Sequence, residues 1–100
     1  MAVRIIRLQA RKRGKRLRVR IRPESLHLWK KKRDQARWRI TGCHAVVRFR
    51  RSPFRRRKFP LRRGGVRNSG AIRKGAKAGR YNYTIRVANR AVRDPRIIIH

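Results

Sequence analysis

Arginine recurs at every second position in several stretches of this chain, and short runs of lysine and arginine lie between those stretches. A guanidinium group donates hydrogen bonds in a planar fork that fits phosphate oxygens, and it also stacks on flat rings. These cations therefore predict a surface that binds polyanions. The predicted binding residues are Arg16, Arg18, Arg20, Arg22, Lys30, Lys31, Lys32, Arg37, Arg39, Arg48, Arg50, Arg51, Arg55, Arg56, Arg57, Lys58, Arg62 and Arg63.

The overall charge points the same way. The 100 residues include 34 Lys and Arg but only three Asp and Glu, which gives a formal net charge of +31 at pH 7. So much positive charge repels itself and opposes compaction, most strongly at low salt. We expect the partner to be nucleic acid or another polyanion, or an acidic protein, held by electrostatics that ignore sequence.

Residues suited to catalysis or metal binding are few. Carboxylate acid–base catalysis needs a pair of acids with separated pKa values, whereas Glu24, Asp34 and Asp94 each lie beside a proline or in a turn, where capping explains them. Cys43 and His44 are adjacent, so on a strand they point to opposite faces and make a poor catalytic pair. The sequence predicts a protein that is not an enzyme and has no cofactor or metal.

The elements that position the cations are predicted to be strands. In Gly79–Val87 the aromatic and β-branched residues alternate with polar ones, which is typical of a central strand with one buried face. The residues 51–70 show little periodicity and are predicted to form a long loop, pinned to the core by Phe54, Phe59 and Leu61. The first strand, Val3–Leu8, is apolar enough to be partly covered on both faces, and a turn is predicted over residues 11–15. The other predicted strands are Arg16–Arg22, Leu26–Trp29, Ala36–Ile40, Ala45–Arg50, Ala71–Arg73 and Ile97–Ile99.

Seven or eight short strands with regularly spaced turns and no helical period predict an all-β fold, a Greek-key β-sandwich. The chain has the length of one domain, so residues 1–100 are predicted to form a single β-sandwich. The sequence shows no secretory h-region and no apolar run of roughly 18–20 residues. We therefore expect no transmembrane segment and a cytoplasmic location.

Three stretches resemble the cupredoxin family. One is the strand led by Pro23, with Asp34 and Trp38 downstream; the second is Gly42–Phe49, in which a histidine precedes a strand ending in Phe; the third is Gly79–Tyr83, which is similar to that family's Gly-Thr-Tyr-x-Tyr strand. The resemblance spans roughly residues 15–87 and implies a cupredoxin-like sandwich. The chain departs from the family pattern at Arg33, where the family has glycine, and at Ala36, where it has valine.

The resemblance also allows the copper site to be tested on the sequence. The family supplies an early His, then Cys, His and Met after the Tyr-x-Tyr strand, which are the donors that blue copper requires. His44 matches the early position, but no Cys, His or Met follows Tyr83 until His100. We therefore expect a cupredoxin-like domain that lacks the copper site.

Several alternatives remain open. Because basic residues fill the outward phase of nearly every predicted strand while the inward phase stays apolar, the chain could be a positively supercharged, engineered domain. It could also be a natural ribosomal-type or nucleoid RNA- or DNA-binding protein, or an electrostatic assembly module that pairs with an acidic protein. Trp29, in the outward phase of its strand, either stacks on a base or is covered by a neighbouring loop.

Overall fold

The regular secondary structure is almost entirely β-strand, as the alternating sequence pattern predicts. The computed structural model describes residues 2–87, 90–91 and 95–100, and within them the chain forms ten strands and one 3₁₀ turn at Lys30–Lys32. The strands are β1 (Val3–Arg13), β2 (Arg16–Arg22), β3 (Ser25–Leu28), β4 (Gln35–Thr41), β5 (Ala45–Phe49), β6 (Lys58–Leu61), β7 (Val66–Asn68), β8 (Gly79–Val87), β9 (Arg90–Ala91) and β10 (Arg96–Ile99).

The strands form two mixed sheets. The four-stranded sheet has the order β2-β1-β4-β7, and the six-stranded sheet has the order β3-β10-β8-β5-β6 with β9 paired to β8. Two pairs are parallel, β1 with β4 and β3 with β10, and the others are antiparallel. The predicted central strand is confirmed, because β8 lies between β10 and β5 in the middle of its sheet.

The inward phases of both sheets meet in one hydrophobic core. Trp38 of β4 is fully buried, and its ring contacts Phe49, Phe59 and Tyr83 of the six-stranded sheet at centroid distances of 6.1, 4.9 and 5.8 Å. Phe54, which was predicted to anchor the loop, packs against the same indole at 6.3 Å. Burial raises the pKa of the Tyr83 phenol, which keeps it protonated inside the core. The largest side chains of the two sheets therefore pack against one another in a single core.

The first hairpin is longer than the sequence predicts. β1 continues to Arg13, so the expected turn over residues 11–15 shrinks to Gly14 and Lys15. Gly14 adopts a positive φ of 55°, which a tight two-residue turn needs and glycine adopts without strain. The extension was missed because residues 9–13 are polar or small in both phases and give no apolar alternation.

The prediction of a structureless loop over residues 51–70 is wrong in two places, because the stretch contains β6 and β7. β6 includes Pro60, which lacks a backbone N–H and argues against a strand; it is accommodated because β6 lies at the edge of its sheet. β7 is only three residues long and pairs with β4 alone. The predicted short strand at residues 71–73 is reduced to a single bridge between Ile72 and Phe54.

The connections between the sheets depend on unusual backbone conformations. Arg33, which closes the 3₁₀ turn before β4, has φ 55° and ψ 39°, a left-handed conformation that glycine favours. Glycine, which the cupredoxin pattern has at this position, would adopt the same conformation without strain. Between β4 and β5, Gly42 has a φ of 97°. In the part of the chain that the structure describes, no helix has the length and apolar character needed to cross a bilayer.

Candidate polyanion interface

The predicted cations lie on the surface. Of the arginines and lysines that the structure describes, none is buried, and four are half-buried, namely Lys30, Arg37, Arg67 and Arg96. Two of these four, Lys30 and Arg37, belong to the predicted binding set; the other sixteen predicted residues are exposed. The surface is therefore rich in guanidinium and ammonium groups that solvent or a ligand reaches.

The densest array is on the outer face of the four-stranded sheet. The predicted ladder of alternate arginines lies on β2, whose register with β1 places Arg22 opposite Arg7 and Arg18 opposite Arg11. On the other side of β1, Arg39 of β4 also lies opposite Arg7. Directly opposed side chains in a sheet have Cβ atoms about 4.5–5.5 Å apart. The register thus sets arginines side by side across three strands.

The sequence reasoning missed part of this array. Arg7, Arg11 and Arg13 were not predicted as binding residues, because the predicted first strand was expected to be partly covered on both faces and residues 11–15 were expected to form a turn. All three are exposed and lie in the outward phase of β1. The available signal was their spacing, since they alternate with the buried Ile6, Leu8 and Ala10 as far as residue 10.

The remaining predicted cations are distributed over the six-stranded sheet and the loops. Arg48 of β5 lies opposite Lys58 of β6, while Arg50 and Arg51 follow β5. The basic run at residues 55–57 is exposed on a loop held by Ser52, whose Oγ donates to the Arg56 carbonyl (2.6 Å) and accepts the Phe54 N–H (3.0 Å). Arg62 and Arg63 lie exposed between β6 and β7.

Two predicted cations, Lys30 and Arg37, donate hydrogen bonds within the part of the protein that the structure describes. The Lys30 ammonium donates to the carbonyls of Lys74 and Ala76, the second at 2.9 Å. Arg37 Nε donates to Asn68 Oδ1 at 2.7 Å across the β4–β7 pair. These contacts hold both side chains in place and leave them less free to reach a ligand than their exposed neighbours.

Trp29 belongs to a small aromatic cluster. Its ring stacks on His100 with centroids 4.7 Å apart, and His27 Nδ1 lies 2.7 Å from His100 Nε2. Arg4 and Lys32 place their charges 5.2 and 5.4 Å from the Trp29 centroid, within the range of cation–π attraction. The half-buried indole is therefore engaged by the protein itself, which favours the covered alternative over a free stacking platform.

Asp34 joins the two sheets beside this cluster. Its carboxylate is fully buried; Oδ2 accepts the backbone N–H of Trp29 at 3.0 Å and lies 3.6 Å from Arg4 Nε. The Trp29 hydrogen bond, more than the Arg4 charge, holds the pKa of Asp34 below its ordinary value even though burial acts to raise it. The predicted turn role of Asp34 is confirmed, whereas Asp94 lies outside the described residues.

Comparisons with known structures identify the architecture. A reduced Cu(I) form of an amicyanin mutant at pH 4 matches with a TM-score of 0.63 and 10% identity, over 98% of this chain and 82% of that chain. The fold is cupredoxin-like. The N-terminal domain of phage TP901-1 ORF48 also matches, with a TM-score of 0.51 and 11% identity, over 100% of this chain and 99% of that domain. Identity this low shows a shared fold alone. No family model matches the sequence, and the search of curated proteins gives no match.

Because the fold is cupredoxin-like, we asked whether the chain has the ligands of a blue-copper site. The Cys, His and Met residues present do not fit such a site. Cys43 is half-buried, His44 is exposed, and the two are adjacent in the connection before β5. The sequence has no Cys, His or Met between Tyr83 and His100. Within the described residues, no three His, Cys, Asp or Glu side chains cluster closely enough to hold a metal ion. A blue-copper centre needs two imidazoles and a thiolate that converge on one point, and this set does not supply them.

Proposed function

We propose that this cupredoxin-like domain is a non-enzymatic binder of polyanions, acting through electrostatics that do not depend on sequence. The observation that supports the proposal most directly is the set of directly opposed arginines on the four-stranded sheet, Arg7 with Arg22 and Arg39 above all. Like charges directly opposite each other destabilise a sheet. A phosphate bound between two such guanidinium groups removes that repulsion and gains charge-assisted hydrogen bonds.

Nucleic acid is the polyanion that the proposal favours, and a cytoplasmic location would bring the domain into contact with it. Arginine suits phosphate because its fork binds two oxygens at once, whereas lysine acts as a point charge. The second candidate is an assembly module for an acidic protein, which the loop cations at residues 55–57 would also serve. A carboxylate partner lacks the regular phosphate spacing that a two-dimensional array of arginines matches, so we rank it second.

The origin of the charge is part of the proposal. Exposed cations on both sheets are what replacement of surface residues in an ordinary domain would produce, and a supercharged, engineered scaffold is the hypothesis that this feature supports. The concentration of opposed arginines on one sheet instead supports a natural ribosomal-type or nucleoid RNA- or DNA-binding protein. Both origins give the same electrostatic binding.

The test is a salt series with four labelled probes: long-chain polyphosphate, single-stranded RNA, duplex DNA and polyglutamate. We expect the two nucleic acids and polyphosphate to bind, with log affinity falling linearly against log salt. If six or more phosphates are contacted, the loss between 50 and 200 mM salt is about 10³-fold or more. Polyphosphate should also raise the melting temperature, because a ligand of the native state stabilises it.

Three outcomes would decide the matter. Binding to nucleic acid that does not change with salt, or that follows base sequence, would contradict the electrostatic mechanism. Binding to polyglutamate without binding to the other probes would replace nucleic acid with an acidic protein as the partner. An absence of binding to all four probes at 50 mM salt would overturn the proposed function.

A further inference from the structure

The outer face of the four-stranded sheet differs from a simple coat of charge because it also exposes apolar side chains. The large hydrophobic residues found exposed among the described residues are Val3, Ile5 and Val66, at 36, 39 and 52%. All three belong to strands of this sheet, and all lie in the outward phase. Single exposed hydrophobic residues are ordinary. Their restriction to one face, among arginines, is the observation to be explained.

The register places these apolar residues next to the arginines. Ile5 lies opposite Arg37, and Val66 lies opposite Arg39, which in turn lies opposite Arg7. The outward phase of the four strands contains arginine, glutamine, asparagine, threonine and aliphatic residues, and no acidic residue. A ligand on this face would therefore meet positive charge and apolar surface together, with no carboxylate to repel it.

A groove lies over the β1–β2 side of this face. It has a volume of about 730 Å³ and is lined by Ile5, Arg7, Gln9, Arg20, Arg22 and Pro23. Ile5 and Pro23 give it apolar walls, Gln9 offers an amide, and three guanidinium groups surround it. Exposed apolar side chains beside guanidinium groups suit a ligand that has both a planar ring and a phosphate. A nucleotide unit has both.

We propose that this groove and the adjoining row Arg22–Arg7–Arg39 bind single-stranded nucleic acid, with phosphates on the arginines and bases against Ile5 and Pro23. The inference rests on the proposed polyanion binding and specifies its site and its ligand. Single-stranded bases are free to contact protein side chains, whereas a duplex turns its bases inward and offers a flat sheet only phosphates. The exposed apolar residues would then gain nothing from a duplex.

The geometry of the sheet fits an extended strand of nucleic acid. Neighbouring β-strands lie about 4.7–4.9 Å apart, and alternate residues of one strand about 6.6–6.8 Å apart. Outward arginines therefore follow one another along β2, at positions 16, 18, 20 and 22, and across the sheet in the row Arg22–Arg7–Arg39, so that successive phosphates find cations along either line. Guanidinium planes between the contacts also stack on bases.

The six-stranded sheet serves as an internal control. Its outward cations lie mostly opposite neutral residues, as Arg80 opposite Ile98 and Arg96 opposite Asn82 show. Arg80 is exposed, like Arg7, but the register places no cation opposite it. Arg80→Gln therefore removes the same charge as Arg7→Gln from the opposite side of the molecule.

The experiment measures fluorescence anisotropy of three labelled probes of equal length: a single-stranded oligonucleotide, its duplex, and an abasic sugar-phosphate strand. Arg7→Gln should weaken binding of the single strand about tenfold and reduce its salt slope by about 0.7, the amount for one lost phosphate contact. Arg80→Gln should weaken it less than twofold. Ile5→Thr, which keeps a β-branched side chain, should weaken the single strand roughly threefold and leave the abasic strand unchanged.

The outcomes separate this inference from the general one. Equal losses for Arg7→Gln and Arg80→Gln, with all probes still bound, would overturn the site and leave polyanion binding intact. An abasic strand that binds as tightly as the natural single strand would overturn the base contacts. Failure of all three probes, together with failure of polyphosphate to bind in the salt series, would overturn the proposed function itself. Arg39→Gln repeats the Arg7 test from β4, so a folding defect in one variant leaves the second to decide.

Discussion

The outer faces of the two sheets have similar residue types and different arrangements. On the four-stranded sheet the register opposes cation to cation four times, at Arg7–Arg22, Arg7–Arg39, Arg11–Arg18 and Arg13–Arg16. Among the paired outward positions of the six-stranded sheet that the structure describes, cation opposes cation once, at Arg48–Lys58. At the other described pairs of that face a neutral residue such as Ile98, Asn82 or Val46 lies opposite the arginine.

This difference shows that composition and arrangement have separate effects. Net charge alone predicts long-range attraction to any polyanion and self-repulsion spread over the whole surface. The register concentrates that repulsion on one face, where like charges directly opposite each other are destabilising. That face is therefore the one on which a bound polyanion would relieve the most repulsion.

The largest expected effect on stability is at the connection between the two sheets, and it tests whether the sheets that carry the two faces are tightly coupled. Gly42 lies where the chain passes from β4 in one sheet to β5 in the other, and a Cβ built there would lie 1.8 Å from the carbonyl oxygen of Ala10. Gly42→Ala therefore forces a backbone shift as well as a strained positive φ. We expect it to lower stability by at least about 2 kcal/mol, or roughly 8 °C or more in melting temperature.

Gly75→Ala is the matched control, because nothing lies within 4 Å of a Cβ at that position and its φ is not in the left-handed range. It should leave stability unchanged or raise it by about 0.4–1 kcal/mol. Both variants are compared by thermal unfolding in high salt. Equal effects of the two variants on stability would mean that the connection at Gly42 is not closely packed against β1. The two faces could then no longer be compared as parts of one tightly coupled structure.

An intermediate effect is expected from reversing one charge on each face. Arg7→Glu turns two repulsive pairs into attractive ones and should stabilise the protein by about 1 kcal/mol at low salt. Arg80→Glu has Ile98 opposite and should give less than half of that gain. The measurement is the urea midpoint of each variant at 10 mM and at 1 M salt.

The salt dependence provides the check on mechanism. At 1 M salt the Debye length is about 3 Å, so both gains should nearly vanish. A difference between the two variants that persists at 1 M salt would assign the effect to packing and contradict the electrostatic reading of the two faces.

The smallest effect concerns Asp34, which links Trp29 after β3 to Arg4 of β1. Its pKa is lower in the folded protein than its ordinary value of 3.8. The stabilisation is therefore fully present above about pH 4 and is lost as pH falls through the folded pKa. Asp34→Asn should make unfolding less sensitive to acid, as measured by melting temperature between pH 7 and 2. An unchanged acid transition in this variant would show that Asp34 does not couple the sheets.

The sequence predicted most of the fold because alternation is a local signal. In strands such as β2 and β4, the alternation of apolar and basic residues shows which side chains are buried. The same alternation correctly predicted that Trp38 and Tyr83 are buried. β6 was not predicted, because Pro60 argues against a strand unless the strand is known to lie at the edge of its sheet. Edge position is a property of the assembled sheet, which the local pattern does not contain.

The site was predicted in part, for a related reason. Exposure of the β2 arginines follows from their phase alone, so those residues were found. The proposed role of Arg7 depends on its place between Arg22 and Arg39, and its position opposite Arg39 comes from the parallel pairing of β1 and β4. Strands that are distant in sequence set this pairing, so residue spacing does not reveal it. The engagement of Trp29 by His100 has the same origin in the parallel pairing of β3 and β10.

The position of β2 at the border of the four-stranded sheet has a consequence for self-association. An edge strand such as β2 presents unpaired backbone N–H and C=O groups to which the edge strand of a second copy can hydrogen-bond. Charged side chains along the edge keep such copies apart. The arginines at 16, 18, 20 and 22 supply that repulsion in the free protein. Under the proposed function, a polyanion that neutralises them would also bring many copies together along one long ligand. This would remove the barrier to β2–β2 pairing and favour filaments or condensates over isolated complexes.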